Sequence, residues 1–352
     1  MPTLAALAAR GEVGRAAVIP PGLPPGSDVG NMSILGYDPA RHHTGRAPIE
    51  AAALGLRLGP DEVAFRCNLV TLADDGTMVD FAGGHPSTDA AGEVVRALDD
   101  ALGGDGLSFH PGFQYRHIVV APAEWADAEC VPPHDLSDKP AVWPTGPAAP
   151  RLRALMDASQ AIVSASPLAA TSVWLWGQGR QPELPSFADT FGLEAGLVTA
   201  VDLVRGLGVL TGMRVVEVLG ATGWYDTDYE AKRDAALDTL ADGVDVFVIH
   251  VEATDEAGHA GDVEEKVRAL ENWDRRILPG LVAGLDAMGP WRLLLLPDHP
   301  TPVERKTHTS EAVPYLLVDS RTEGPGGTYT EPATAACVPV PGHSLMGRLI
   351  GG

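Results

Sequence analysis

Two aspartates and three histidines stand in the last third of the chain at spacings that suit a metal-assisted reaction: Asp255-Glu-Ala-Gly-His259, Pro297-Asp298-His299-Pro300 and Thr307-His308-Thr309. Carboxylate oxygen and imidazole nitrogen each present a lone pair to an ion such as Zn or Mn. Apolar runs at residues 244–251 and 291–296 precede the first two clusters and read as buried strands. In open α/β sheets, ligand sites collect beyond the carboxyl ends of such strands. Any one of these histidines alone is more often a surface or core residue, and a lone Asp-x-x-x-His spacing is weak evidence. Three such clusters together point to a metal site.

Near the amino end, Ser27 follows a Gly- and Pro-rich turn and opens a helical run over residues 29–35. A hydroxyl at that place stands among backbone N–H groups and the positive end of a helix dipole, where phosphate is favoured. A plain N-cap is the commoner role for such a serine. Ser33 is the competing hydroxyl, but it falls inside the helix and is expected to face packing.

These groups need a scaffold. At 352 residues the chain is long enough for two domains, and 45% hydrophobic content supports well-buried cores. Cys67, Cys130 and Cys337 are scattered without CxxC spacing, so neither a disulfide framework nor a thiolate metal site is expected. No stretch reads as a bilayer span, and the first residues lack the long apolar core of a signal peptide. A cytoplasmic protein is the expectation. Acidic residues outnumber basic ones 47 to 25, a net charge of −22, which argues against nucleic acid and anionic membranes as partners. An anionic substrate would need local cations against that field.

Periodicity places helices at residues 3–10, 29–35, 89–102, 229–241 and 263–285, and core strands at 172–176, 197–202, 214–217, 244–251 and 292–296. Between them, short alternating runs at 63–70, 78–82 and 115–120 are α+β in character, and a Pro-rich passage at 121–150 reads as a connection. The fold expected is α/β: a doubly wound core of residues 1–58 and 172–352, with residues 59–171 inserted as a smaller α+β lid or substrate domain. The chain opens on a helix where such a core usually opens on a central strand.

Taken in order, Gly26-Ser27-Asp28-Val29-Gly30-Asn31-Met32-Ser33-Ile34-Leu35-Gly36-Tyr37-Asp38-Pro39, Thr44-Gly45-Arg46, Phe65-Arg66-Cys67-Asn68-Leu69, Tyr115-Arg116-His117, Pro133-His134-Asp135, Trp174-Leu175-Trp176-Gly177-Gln178-Gly179 and Gly220-Ala221-Thr222-Gly223, followed by the Asp/His clusters, resemble the archaeal-type cofactor-independent phosphoglycerate mutases. The resemblance covers nearly the whole chain. It implies an alkaline-phosphatase-like core and two divalent ions, usually Mn, with Mg, Co or Zn as alternatives, and no organic cofactor. It also implies a phosphoserine intermediate that carries the phosphoryl group between the 2- and 3-positions of glycerate. Ser27-Asp-Val-Gly is similar to the Ser-Glu-Val-Gly of the longer bacterial mutases, where that serine is phosphorylated.

By the same resemblance Asp255, His259 and His308 hold one ion, and Asp298 and His299 with Ser27 hold the second. Arg66, His85 and Arg116 lie on segments similar to the family's substrate-binding ones, and Arg205 stands where the longer mutases carry a functional Lys. Arg46 is a weaker candidate. Lys232 reads as a surface residue, His42, His43 and His343 as ordinary loop residues, and Trp174 and Trp176 as core. The family's first-strand Asp has no counterpart in Pro2-Thr3-Leu4-Ala5-Ala6-Leu7, which resembles the helix after that strand. Two readings are open: a start placed too far downstream, which the unmodified remaining motifs favour, or a truncated paralogue with an impaired second ion site. A small phosphorylated acid is the expected partner, and a homo-oligomer is compatible with the sequence. The alternatives are a related metal phosphatase or phosphonate-processing enzyme and a non-catalytic paralogue.

Overall fold

The computed structural model describes residues 1–351 and shows a mixed α/β fold with several sheets. The chain divides into two units, Met1–His43 with Leu184 onward and Thr44–Glu183.

In the first unit, strand β1 (Glu12–Ala17) pairs antiparallel with β11 (Val313–Asp319), from Glu12↔Leu317 to Ala16↔Val313. The strands β10 (Arg292–Leu295) and β12 (Val340–Pro341) complete a sheet of order β10-β11-β1-β12. A strand therefore does follow the opening helix Pro2–Ala8, although β1 is too rich in small and polar residues to stand out by alternation. A second, parallel sheet has the order β8-β7-β9, with β7 at Ala195–Val198, β8 at Arg214–Val215 and β9 at Val246–Ile249. The helix Asp202–Leu210, absent from the reading by periodicity, begins just past β7, and residues read as the end of a strand to 202 lead into it.

β9 and β10 are the edge strands of their sheets, and both line one cavity of about 1370 Å³. Its walls include Phe247, Ile249, Leu293 and Leu295, and its rim reaches Met1, Ser27, Asp255, Asp298 and His299. The opening helix is pinned beside it, because the buried Asp274 carboxylate accepts from the Leu4 N–H at 2.7 Å. Asp274 belongs to a π-helical turn, Trp273–Ile277, that breaks into two helices what reads from sequence as one over residues 263–285.

The second unit is a five-stranded antiparallel sheet centred on β2 (Glu62–Leu72), with β3 (Met78–Asp80), β4 (Ser108–His110), β5 (Arg116–Pro122) and β6 (Ser172–Gly179) around it. Helices Thr88–Leu102 and Ala149–Ser164 cover this sheet with a core that includes Leu98, Leu152, Met156 and Trp174. Where sequence patterning sets this region's limits at residues 59 and 171, the unit also takes in β6, paired with β2 from Ala64↔Gly179 to Val70↔Ser172. It takes in helix Ala47–Ala53 as well, whose Ala47 and Ala51 pack on Ala64 and Ile118. Pairing and burial of distant segments, which local composition does not carry, decide that membership. No helix among the described residues is long and apolar enough to cross a membrane.

Candidate metal and phosphate centre

Asp255 and His259 lie four residues apart on helix Ala253–Ala260, so they share one face. His308 arrives from the loop before β11. One ligand atom from each of the three lies within 4.8 Å of the other two. Asp255 Oδ2 is 3.3 Å from His259 Nε2, Asp255 Oδ1 is 3.4 Å from His308 Nε2, and the two Nε2 atoms are 2.9 Å apart.

Two imidazole nitrogens facing each other at that distance leave room for at most one proton, unless an ion sits between them. Their outer nitrogens face carbonyls, His259 Nδ1 the oxygen of Lys306 at 3.0 Å and His308 Nδ1 that of Pro25 at 3.4 Å. Donation there leaves both Nε2 lone pairs pointing inward, the outer-shell arrangement of metal-binding histidines. The donor set therefore fits a divalent ion. Hydrogen bonding to Asp255 raises the His259 pKa to about 9, so without an ion this ring carries a proton that a metal must displace. Asp255 is the reverse: burial pushes its pKa up, but bonds from His259, His308 and Thr301 outweigh that and hold it low.

Ser27, Asp298 and His299 form a second group. Ser27 Oγ is 2.9 Å from His299 Nε2, and Asp298 Oδ2 is 3.4 Å from the same nitrogen. A chain of hydrogen bonds sets the tautomer. The Thr301 hydroxyl donates to Asp255 Oδ1, so its lone pair accepts from His299 Nδ1 at 3.3 Å. His299 Nε2 is then the bare nitrogen and accepts from Ser27. Burial lowers the His299 pKa, which keeps the ring neutral and this pattern intact. The two groups adjoin, with the rings of His299 and His308 at 3.8 Å between centroids.

Ser27 is the first residue of helix Ser27–Ile34, as its surroundings in the sequence predict. Ser33 is fully buried and far from this role. Two participants escape sequence reading. Asn31 donates to Ser27 O at 3.0 Å and to Asp298 Oδ2 at 2.8 Å, bridging helix and loop; its i+4 spacing from Ser27 is the signal that marks it. Thr301 has no local signal. Lys232, expected at the surface, is fully buried, and its Nζ donates to His250 O at 3.0 Å. Burial brings its pKa down to about 8, opposed by Glu252.

The candidate substrate cations fall in different places. Arg66 on β2 is buried, its Nε 2.8 Å from Glu50 Oε2 with the N–H directed off that oxygen, and its guanidinium 4.4 Å from the centroid of Trp176. Burial lowers its pKa to about 10, with Glu50 opposing, so it stays charged. Arg46 also pairs with Glu50, at 2.9 Å. Arg116 is exposed and donates to the Tyr115 hydroxyl at 2.8 Å, and His85 stands edge-on to the same ring at 5.4 Å with a positive φ of 50°. Arg66, Arg116 and His85 thus belong to the second unit. Arg205 is in the first unit and pairs with Glu217.

A two-unit α/β chain with a serine hydroxyl at a helix N-terminus, beside converging Asp and His ligands, has the layout of a metal-assisted phosphotransferase. Comparison with known proteins names the family. The family model described as 2,3-bisphosphoglycerate-independent phosphoglycerate mutase matches residues 8–169. A probable 2,3-bisphosphoglycerate-independent phosphoglycerate mutase of Geobacter sulfurreducens is 43% identical over 99% of this chain and 92% of its own length. The mutase of Methanothrix thermoacetophila is 44% identical over 91% of this chain and 83% of its own. Among solved structures, a Pyrococcus horikoshii protein aligns with TM-score 0.79 at 25% identity, covering 99% of this chain and 88% of that one. The chain belongs to the 2,3-bisphosphoglycerate-independent phosphoglycerate mutase family, a family of metal-dependent isomerases of glycolysis.

Proposed function

We propose that this chain interconverts 2- and 3-phosphoglycerate through a phosphoserine on Ser27. The observation that carries the reading is the contact of Ser27 Oγ with the bare His299 Nε2, at the N-terminus of a helix and beside the Asp255, His259 and His308 cluster. The Ser27 oxygen attacks phosphorus, the bond to the glycerate oxygen breaks, and the proton lost from the Ser27 hydroxyl is taken up by that glycerate oxygen. Transfer back to the neighbouring hydroxyl restores Ser27. Backbone N–H groups at the helix start face the phosphoryl oxygens.

A divalent ion on Asp255, His259 and His308, with Mn the first choice, and another on Asp298, His299 and Ser27, would neutralise charge on the transferring group when bound. Arg66, His85 and Arg116, on a second unit read as an inserted lid domain, together with Arg205, are the proposed holders of the substrate's carboxylate and phosphate. Arginine is the natural bidentate partner of both groups. The parallel sheet β8-β7-β9, with helices Asp202–Leu210 and Tyr229–Ala241 packed on it, supports the reading of a doubly wound core.

The deciding experiment is a mutase assay with Mn added, alongside Ser27→Ala. Interconversion lost in the variant is the expected result. Release of inorganic phosphate without isomerisation would replace this reading with that of a metal phosphatase.

A further inference from the structure

The loop that carries Asp298, His299 and His308 is gripped by a lysine from a neighbouring helix. Backbone amides of the loop tie it at two points: the Thr309 N–H donates to Pro300 O at 3.0 Å, and the Lys306 N–H to Pro302 O at 2.9 Å. The carbonyl between them, that of Thr301, accepts instead from the amine of Lys266, on helix Val263–Asn272. Thr301 is buried, so its carbonyl would be costly to leave without a donor. The contact lies against Gly258, which stands between Asp255 and His259 on their helix. A Cβ at Gly258 would meet Thr301 O at 2.5 Å and Lys266 Nζ at 3.0 Å, so a residue without one lets these elements close up. The hydroxyl of the same Thr301 donates to Asp255 Oδ1 and lies 3.3 Å from His299 Nδ1.

We propose that Lys266 is a positioning residue: its hold on the Thr301 carbonyl aims the Thr301 hydroxyl at Asp255 and His299, so that a lysine outside the ligand set supports the binding of the ion. Without the amine, the buried carbonyl turns toward water and the threonine turns with its backbone. Asp255 Oδ1 then loses the donor that orients it. Loss of a partner hydrogen-bonded to a ligand typically weakens metal binding by about 10–100-fold. The inference rests on the reading of Asp255, His259 and His308 as holders of an ion, but it is read from binding and needs no turnover.

The test titrates Mn into the metal-free chain, and records the visible spectrum of the Co-loaded chain, for wild type, Lys266→Met, Thr301→Val and the Lys266→Met/Thr301→Val double variant. Lys266→Met keeps an apolar stem and removes the donor, and it is expected to bind Mn about tenfold more weakly. Thr301→Val keeps the shape and loses the hydroxyl, so it should lose at least as much. The Co bands, which report ligand geometry, should move in the same direction in both. Because the lysine acts through the hydroxyl, the double variant should stay within about threefold of Thr301→Val alone, whereas independent packing defects would multiply to about a hundredfold. Should Lys266→Met fail to fold, Lys266→Gln decides, its shorter side chain being expected to show the same loss. Wild-type affinity and wild-type Co bands in the Lys266 variant, or losses that multiply in the double variant, overturn the proposal, as does a wild type that binds no Mn. The expected pattern in a chain without mutase turnover would sink the proposed function and leave this inference standing. Turnover with a Lys266 variant that binds Mn as wild type does would do the opposite.

Discussion

Under the proposed reading Ser27 Oγ, 2.9 Å from His299 Nε2, is the attacking atom. Ser27→Ala removes the attacking atom, and turnover should fall by on the order of a thousand-fold or more, with no phosphoenzyme trapped on acid quench; persistent turnover would move the assignment elsewhere. His259→Ala or His308→Ala should each strip the ion from the Asp255 cluster, read as metal content after dialysis. An unchanged content in both would remove them from the ligand set. Arg66 invites a subtler change, since it stacks on Trp176 and pairs with Glu50. Arg66→Lys keeps the charge but loses the planar fork, so kcat/KM should fall at least about tenfold, and near-wild-type kinetics would make Arg66 merely structural.

Glu50 itself gives a pH prediction. Its burial pushes the pKa up, but Arg66 and Arg46 outweigh this and bring it below the usual 4.5. A depressed folded pKa contributes stability that is present above 4.5 and is lost as pH falls through the lower folded value. Glu50→Gln should therefore flatten the dependence of the melting temperature on pH below about 4.5. An equally steep acid slope in the variant would place the sensitivity elsewhere.

At the scale of elements, the centre is set by how the helix Ser27–Ile34 lies against the loop after β10. Gly30 makes that approach possible: a Cβ there would meet Asp298 O at 2.2 Å, a backbone atom that cannot swing aside. Gly30→Ala should push the helix off the loop, part Ser27 from His299 and destabilise the first unit by about 1–3 kcal/mol, as overpacking does. A variant with the melting temperature and turnover of wild type would show that the helix has slack. Asn31 ties the same two elements by hydrogen bonds. Asn31→Leu should therefore lower activity with a smaller loss of stability.

For the whole molecule, β9 and β10 each leave an unpaired edge on the apolar cavity of about 1370 Å³. Open edges recruit other chains. This cavity should accordingly bind an environment-sensitive apolar dye, and the exposed edges should promote self-association as concentration rises. Absence of dye binding would mean that the cavity is closed in solution.

The gathering of Asp255, His259 and His308 and the helix that opens at Ser27 were legible in sequence, because Asp and His at short spacings mark ligand chemistry and helical phase marks a shared face. Helix Tyr229–Ala241 was legible to the residue for the same reason, a cap and a regular local pattern. What periodicity could not carry was contact between segments far apart in the chain. Thr301 became a relay because the fold brings its hydroxyl between Asp255 and His299. Lys232 turned inward because its amine meets the end of β9. His43 acquired Asp28, and β6 joined β2, by the same route. Local preference chooses the element and the kind of group it bears. Which groups meet depends on burial and pairing across hundreds of residues, and only the tertiary structure decides that.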